Sequence, residues 1–486
     1  MKNYLTKSVL GLSILITVFL LLSCQQKKTE GNAKGNKTPN IILIMCDDLG
    51  WGDTGFNGNE IIKTPNLDAL AAKGITFGRF YSASAVCSPT RASCLTGRNP
   101  QRLGIPSANT GHLKEQEITL PELLKQKGYA TGHFGKWHLG TLTTKVKDAN
   151  RGKPGDSTHY SIPSMHGYDE YFVTESKVPT YDPMLKPAVF DEENGESLHY
   201  GWKAMTDKSE AQNYGTYYWK GEEQPASENL DSDDAKVILD RVIPFIEKSV
   251  QDENPFFSAV WIHTPHLPVV ATEEMMADYS EYSYKEQLYY AAISGMDKQI
   301  GRLWKKLEEL GEADNTMIWF CSDNGPERDT PGTAGIYRER KRSLYEGGVR
   351  VPAFCVYPNA VKPGQKTAFP SFTSDYLPTI VDMLKLDFPD ERPIDGVSLT
   401  SVLNGKADVR EKPMGFQFGG KMSWVTQEYK LISTDKAKTF ELYNLLSDPG
   451  ESKNIIAENP ELAEKMKVDL LAWVESCKQS EKGNDY

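Results

Sequence analysis

Three separated runs of apolar residues constrain the fold of this chain more than any other feature. They span residues 39–46, 255–262 and 315–321, and β-branched and aromatic residues are frequent in them. Continuous apolar runs of this kind are typical of strands that are covered on both faces of a sheet. Amphipathic helical patterns at residues 233–248 and 287–310 separate the runs. The alternation predicts an α/β fold with a large, mixed, mostly parallel sheet flanked by helices.

Four predicted strands or loops end in polar residues that could take part in catalysis or ligand binding. They are Asp47-Asp48, Lys136 with His138, His263 with His266, and Asp323-Asn324. Open α/β sheets bind ligands at the carboxyl ends of their strands, so we expect these groups to meet at one edge. Lys136 and His138 alternate, which would point both side chains the same way on an extended chain. Taken singly, a pair of aspartates at a strand end is more often a solvated end, and a histidine is as often packed.

The string Cys87-Ser88-Pro89-Thr90-Arg91 predicts a helix that begins beside a reactive group. Ser88 is suited to cap the helix, Pro89 suits its first position, and Gly97 is placed to end it. The N-terminus of a helix attracts anions, and the guanidinium of Arg91 would add donors about one turn along. The alternative interpretation is a structural cysteine buried at the start of a helix.

The first residues of the chain have the pattern of an export signal. Two lysines precede an apolar run over residues 9–22, and the sequence Leu21-Leu22-Ser23-Cys24 resembles a bacterial lipobox. We expect residues 1–23 to be a lipoprotein signal peptide, Cys24 to be lipidated, and residues 24–38 to be a flexible tether. The protein would then be anchored in the bacterial cell envelope, periplasmic or at the cell surface. An ordinary signal peptide or a short membrane anchor is the alternative.

The charge of the chain limits its partners. Removal of residues 1–23 takes away Lys2 and Lys7 and no acidic residue, so the formal net charge changes from −11 to −13. An acidic protein is not expected to bind nucleic acid or an anionic membrane surface, so any membrane contact would come through the lipid anchor only. If the protein handles anions, its positive charge must be local.

Six strings covering roughly residues 39–444 together resemble one family. They are D-D-L-G-W-G-D, C-S-P-T-R with L-T-G-R, G-K-W-H-L-G, H-T-P-H-L-P, S-D-N-G and Y-E-G-G-V-R-V-P, in this order. The chain resembles the type I, formylglycine-dependent sulfatases of the alkaline phosphatase superfamily. We place a sulfatase catalytic domain at residues 39–388. Alternating residues after it predict a C-terminal α+β subdomain with an antiparallel sheet at residues 389–486.

The resemblance implies one Ca²⁺ ion and one modified residue. The ion would be bound by the side-chain oxygens of four residues and by the modified Cys87. The four residues are Asp47, Asp48, Asp323 and Asn324. Carboxylate and amide oxygens suit Ca²⁺ or Mg²⁺ better than zinc. A formylglycine-generating or sulfatase-maturating enzyme would convert Cys87 to formylglycine. One hydroxyl of its hydrate would attack sulfur, and loss of a proton from the other would release the sulfate.

The resemblance also implies roles for several basic residues. Arg91 and Lys136 would neutralise charge and hold the hydrate, and Lys341 would face the sulfate. His138 would help the sulfate to leave, and His266 would protonate the leaving oxygen. His263 and Arg340 are predicted substrate contacts. Because arginines crowd residues 338–342, Arg340 rather than Lys341 is an open alternative for the contact to the sulfate.

These observations predict an enzyme that hydrolyses sulfate esters. The substrate would be a sulfated carbohydrate or polysaccharide fragment, an expectation based on the lipoprotein signal and on the long, aromatic, irregular stretch at residues 141–231. Two alternatives are a phosphate or phosphonate ester hydrolase of the same superfamily and a non-catalytic lipoprotein that binds sulfated glycans.

Overall fold

The computed structural model describes residues 37–187 and 202–486. The predicted signal peptide, Cys24 and most of the predicted tether lie outside the described residues. Pro39–Tyr486 forms one compact unit, which contains both the predicted catalytic domain and the predicted C-terminal subdomain. The boundary at residue 388 stays a prediction. In the part of the chain that the structure describes, no helix has the length and apolar character needed to span a membrane.

The helices and strands follow one another in a mixed order. The strands are β1 (Asn40–Cys46), β2 (Ile75–Phe77), β3 (Phe80–Tyr81), β4 (Ala130–Lys136), β5 (Glu170–Thr174), β6 (Trp202–Lys203), β7 (Phe256–Trp261), β8 (Val270–Ala271), β9 (Thr316–Ser322), β10 (Arg350–Val351), β11 (Ala353–Val356), β12 (Gln365–Thr367), β13 (Ser371–Phe372), β14 (Met414–Phe418), β15 (Lys421–Val425), β16 (Tyr429–Ser433) and β17 (Glu441–Asn444). The α-helices are α1 (Pro65–Ala72), α2 (Cys87–Thr96), α3 (Leu120–Lys125), α4 (Asp234–Gln251), α5 (Glu273–Met276), α6 (Tyr284–Glu309), α7 (Glu346–Val349), α8 (Tyr376–Leu384), α9 (Thr400–Leu403) and α10 (Pro460–Glu481).

An eight-stranded sheet in the order β12-β2-β11-β9-β1-β7-β4-β5 forms the centre of the fold. Its five consecutive strands β9, β1, β7, β4 and β5 are parallel to one another. Strand β11 is antiparallel to β9 and to β2. The predicted mixed, mostly parallel sheet is therefore confirmed, and the carboxyl ends of β9, β1, β7, β4 and β5 lie at one edge.

Strand β1 explains why the sequence contains an unbroken apolar run. Ile42 and Ile44 pack into the core on the face that α4 and α6 cover, while Leu43 and Met45 pack into the core on the opposite face, with residues of α2 and α8. Every residue of β1 is buried. Because successive side chains of a strand point to opposite faces, a strand covered on both sides must be apolar at every position.

The C-terminal residues form the predicted antiparallel sheet, in the order β14-β15-β16-β17. Trp424 and Leu431 on one face of this sheet pack against apolar residues of α10. Phe416 and Ile432 on the other face pack in one cluster with Tyr81 and other residues beside the central sheet. The smaller sheet is thus held between α10 and the rest of the molecule.

Candidate active site

Helix α2 begins at Cys87 without a side-chain cap. The N-cap residue is Val86, so the predicted cap at Ser88 is wrong. Ser88 lies inside the first turn, where its hydroxyl donates a 2.6 Å hydrogen bond to the carbonyl of His138 instead. The predicted end is confirmed, because Gly97 has the left-handed φ of 69° that a helix terminus of this type requires. The serine therefore ties the start of α2 to the loop that carries His138.

Three carboxylates meet at the carboxyl edge of the sheet, as predicted. Asp47 and Asp48 follow β1, and Asp323 follows the neighbouring strand β9, where Cys46 is opposite Ser322. Single ligand atoms of Asp47, Asp323 and Cys87 lie within 4.8 Å of one another. Atoms of Asp47, Asp48 and His266 form a second such group. Parallel pairing of β1 and β9 is what brings residues 275 positions apart into contact.

Cations of the protein surround this cluster. Lys136 Nζ lies 2.6 Å from a carboxylate oxygen of Asp47, and Arg91 Nη2 lies 2.5 Å from one of Asp323. Burial opposes ionisation of Asp47, but the charges of Lys136, His266 and Arg91 hold its pKa well below the usual range. Burial and the neighbouring Asp47 raise the pKa of Asp323. The predicted basic partners of the cluster are thus present around it.

Two buried oxygen atoms of the cluster test whether its residues fit a hard metal ion. Asp47 Oδ1 and Asn324 Oδ1 are buried and accept no hydrogen bond from any described residue. The amide of Asn324 donates from Nδ2 to Asp48 at 2.6 Å, which leaves Oδ1 as its free atom. Buried oxygen acceptors without donors are costly unless another group satisfies them. The donor set is rich in oxygen, so the residues fit Ca²⁺ better than zinc.

His138 is held in one orientation by Asn109. Its Nε2 lies 2.8 Å from Asn109 Oδ1, and its Nδ1 lies 3.3 Å from Cys87 Sγ. An amide oxygen only accepts hydrogen bonds, so Nε2 carries the proton and Nδ1 faces Cys87 as an acceptor. Asn150 Nδ2 donates to the same oxygen at 3.2 Å and fixes the amide. Burial, with the charge of Lys136, keeps the pKa of His138 well below its usual value.

The predicted extended conformation between Lys136 and His138 is wrong, although both residues reach the site. Strand β4 ends at Lys136, and His138 has a φ of 56°, so the chain is not extended between them. The left-handed turn re-aims the imidazole toward Cys87. Asn109 itself was missed, because it lies in an irregular segment between β3 and β4 and belongs to none of the recognised strings.

The two histidines after β7 have different environments. His266 lines a cavity, with Nδ1 2.6 Å from the carbonyl of Leu267 and Nε2 3.6 Å from Asp48 Oδ2. Burial lowers its pKa to about 4. His263 is fully buried, and its ring nitrogens lie 2.8 Å from Asp234 and 2.7 Å from the Thr174 hydroxyl. The structure therefore contradicts the predicted substrate contact of His263, since both of its nitrogens are used inside the protein.

The alternative between Lys341 and Arg340 is settled by where their side chains lie. Lys341 lines the cavity, and its Nζ is 2.7 Å from Asp48. Arg340 Nη1 donates to the backbone carbonyls of Glu327, Arg328 and Thr330, at 3.1, 3.3 and 3.0 Å. The guanidinium thus supports the loop after β9 and is not a cavity residue. The predicted substrate contact of Arg340 is contradicted, and Lys341 is the cation that faces the site.

A cavity of about 760 Å³ opens above the cluster and gives a substrate access to it. Its lining includes Cys87, Lys136, His138, His266 and Lys341. Cavities of this size bind ligands of a few rings. Five of the six predicted catalytic residues therefore share one cavity, and the sixth, Arg91, lies beneath it against Asp323.

The family described as Sulfatase matches residues 39–386. The chain belongs to the sulfatase family. The C-terminal family of N-sulphoglucosamine sulphohydrolase matches residues 332–476. The fold, the superfamily and the predicted class of enzyme are thereby confirmed: the protein is a sulfatase.

Relatives and solved structures cover most of this sulfatase. N-acetylgalactosamine-6-sulfatase of Canis lupus familiaris is 31% identical over 416 residues, which are 82% of this chain and 72% of that protein. A sulfatase of Formosa agariphila is 29% identical, over 93% of this chain and 91% of that one. The crystal structure of Ps i-CgsB in complex with k-i-k-neocarrahexaose has a TM-score of 0.76 at 25% identity, covering 91% of this chain and 94% of that one.

Proposed function

We propose that this sulfatase removes sulfate from a sulfated carbohydrate or polysaccharide fragment, using one Ca²⁺ ion and formylglycine made from Cys87. The observation that carries the proposal is the meeting of Cys87, three carboxylates, two lysines and two histidines around one cavity. The carbohydrate class is supported by similarity to an N-acetylgalactosamine-6-sulfatase and to a structure that holds a neocarrahexaose.

The metal would be held by the oxygen atoms at the ends of β1 and β9. Its ligands would be Asp47, Asp48, Asp323, Asn324 and the modified residue 87. When bound, Ca²⁺ would supply Lewis-acid stabilisation of negative charge on the sulfate group. Lys136 lies 2.6 Å from Asp47 and favours its ionised form, and Arg91, 2.5 Å from Asp323, opposes the rise in pKa that burial and Asp47 cause there.

Residue 87 would be the nucleophile after conversion to formylglycine by a sulfatase-maturating or formylglycine-generating enzyme. As formylglycine it would supply a hydrated aldehyde, with one hydroxyl for attack on sulfur and a second whose proton must leave. His138 Nδ1, held toward residue 87 by Asn109, is the atom placed to accept that proton. Sulfate release therefore depends on the neutral form of His138, which its burial favours.

Two cavity residues would act on the substrate itself. Lys341 reaches the cavity from the loop before α7 and would neutralise the sulfate oxygens. His266 would give a proton to the leaving oxygen. Its Nδ1 contacts the Leu267 carbonyl, so Nε2 is the atom that faces the cavity and exchanges the proton. A bound sulfate anion would raise the pKa of this imidazole and favour its protonated form.

We also propose that the enzyme is lipid-anchored through Cys24 in the bacterial cell envelope, at the periplasmic or outer surface. The support is the lipobox-like sequence at residues 21–24. Labelled fatty acid should be incorporated into the wild-type protein and not into Cys24→Ala; equal incorporation would contradict the anchor.

Sulfate release from defined sulfated oligosaccharides tests the proposed reaction. The matured enzyme should release sulfate, the peptide containing residue 87 should have the mass of formylglycine, and Cys87→Ala should be inactive. Cys94→Ala is the matched control, because Cys94 is buried in the same helix two turns away and reaches neither cluster nor cavity. An unmodified thiol in active enzyme would contradict the mechanism. Faster hydrolysis of a matched phosphate or phosphonate ester, or binding without release, would contradict the reaction.

A further inference from the structure

The cations that line the cavity differ in how they are neutralised. They are Lys136, Lys177, Lys341 and Arg342. Lys136 is paired with Asp47 at 2.6 Å, and Lys341 with Asp48 at 2.7 Å. Arg342 forms a two-pronged ion pair with Glu327. Three of the four cations therefore have a carboxylate partner.

Lys177 is the exception. Among the described residues, no carboxylate lies within 4.0 Å of its Nζ and no hydrogen-bond partner contacts it. Desolvation, followed by the charges of Lys136 and Lys341, lowers its pKa, and the charges of Asp47 and Asp48 oppose this shift. The side chain of Lys177 is exposed, so an anionic group of a ligand can reach its ammonium without displacing a carboxylate of the protein. The ligand that enters this cavity is the available source of that anion.

The wall around Lys177 differs from the wall around Lys341. Lys177 follows β5, and the neighbouring cavity residues are neutral hydrogen-bonding groups, among them Asn150 and Ser176, which are joined by a 2.9 Å hydrogen bond. The Lys341 wall contains the carboxylates Glu327 and Asp329. Neutral polar groups beside one unpaired cation suit a sugar ring that carries its own negative charge.

Lys177 and Lys341 reach the cavity from different elements of the fold. The sulfate to be hydrolysed must lie between residue 87 and Lys341, because the proposed nucleophile and the cation that neutralises it are there. Lys177 is three residues beyond Thr174, which is opposite Lys136 in the sheet, and it reaches the cavity from this neighbouring strand end. Approach from a separate strand end favours a different group of the substrate as the anion at Lys177.

We propose that Lys177 binds a second anionic group of the substrate, a carboxylate or a second sulfate, on the sugar with the hydrolysed ester or on the next one. The inference rests on the proposed function and specifies its substrate class as a polyanionic sugar. Lys177 is a specificity-determining residue, and it takes no part in bond breaking. Lys177 would form an ion pair with the substrate, whereas the other three cations already form ion pairs within the protein.

The test measures kcat/KM of the matured full-length enzyme on three disaccharides that share one sulfate ester. The first has no other anion, the second also has a uronate carboxylate, and the third has a second sulfate. The wild type should prefer one of the dianionic substrates about tenfold or more, and which one it prefers identifies the anion. Lys177→Met should lower that preference to near one, and Lys177→Arg should retain it because it keeps the cation.

Lys362→Met is the control, since Lys362 is exposed and outside the cavity, and it should keep the wild-type preference. The inference is overturned if the wild type shows no preference, or if Lys177→Met slows all three substrates equally, which would assign Lys177 to the hydrolysed sulfate. Absence of sulfate release from all three substrates overturns the proposed function and this inference with it. Release from the monoanionic substrate without any preference overturns the inference alone.

Discussion

The substitution Lys430→Met should destabilise the protein through a buried ion network that does not line the cavity. Lys430 lies in β16 and is fully buried. Its Nζ is 3.1 Å from Glu346 and 2.9 Å from Glu451, two carboxylates that are also buried. Glu346 begins α7, five residues after the cavity residue Lys341. The network therefore connects the C-terminal sheet to the loop that carries Lys341, the proposed cation for the sulfate.

The expected loss in the free energy of unfolding follows from the partners that each carboxylate retains in the variant. Glu346 retains Arg350 at 3.1 Å and the Tyr81 hydroxyl at 2.9 Å. Glu451 loses the sole ion pair that it makes with described residues and keeps one backbone amide. Breaking a buried pair by removing one partner costs about 3–5 kcal/mol. Since burial already raises the pKa of Glu451, this carboxyl can be protonated, so we expect a loss of about 3 kcal/mol near neutral pH.

The assay is the shift of the urea denaturation midpoint of the full chain, with the double variant Lys430→Met/Glu451→Gln as the comparison. The double variant should recover at least half of the lost free energy, because no charge is left unpaired beside residue 430. The loss in the single variant should grow as the pH rises from 5 to 8, because a carboxyl whose folded pKa is raised takes up a proton on folding. A loss below about 1 kcal/mol, or no recovery in the double variant, would refute the reasoning.

Three shorter predictions follow from other sites. Asn109→Ala should lower kcat about tenfold or more with little change in KM. Asn109→Asp should retain more activity, because its carboxylate can still accept the hydrogen bond from His138 Nε2. Equal losses in the two variants would contradict the orienting role of Asn109. Gly135→Ala should give little folded protein in an expression and solubility assay, since φ is 102° and the new Cβ would lie 2.0 Å from a backbone oxygen. Gly128→Ala, with φ of 82° and open space, should cost only about 1–2 kcal/mol, and equal yields would contradict the steric argument. Burial lowers the pKa of His133 to about 3, so the free energy of unfolding should fall by up to about 1.4 kcal/mol per pH unit below pH 6.5. The variant His133→Phe should show a smaller dependence of stability on pH. An unchanged dependence would contradict this prediction.

The central sheet could be predicted from the sequence, because strands that are buried on both faces are apolar at every position. Strands β1, β7 and β9 have no polar alternation, and the acidic or imidazole residues that follow them could be assigned to one edge by the general geometry of parallel sheets. The cluster of Asp47, Asp48 and Asp323 was predictable for this reason. No detail of side-chain packing was needed to predict it.

The features that sequence reasoning missed depend on contacts between distant segments. His263 follows a strand as a ligand would, but Asp234 at the start of α4 and Thr174 at the end of β5 use both of its nitrogens. Asn109 orients His138 from an irregular segment that has no periodicity to interpret. Ser88 has the side chain of a helix cap, yet it bonds to another loop. In each case a partner more than 25 residues away decides the role, and local pattern contains no information about it.

The burial of Cys87 has a consequence for the order of events in the cell. Its side chain is 3% exposed, and every residue of α2 is buried in the folded chain. In the folded chain the thiol borders the cavity, whereas the rest of its helix is covered by the protein. Under the proposed conversion to formylglycine, the segment around residue 87 is therefore more accessible to a maturating enzyme before α2 packs than afterwards. Chains that fold before this modification would keep an unmodified thiol, so the relative rates of maturation and folding would set the fraction of active enzyme.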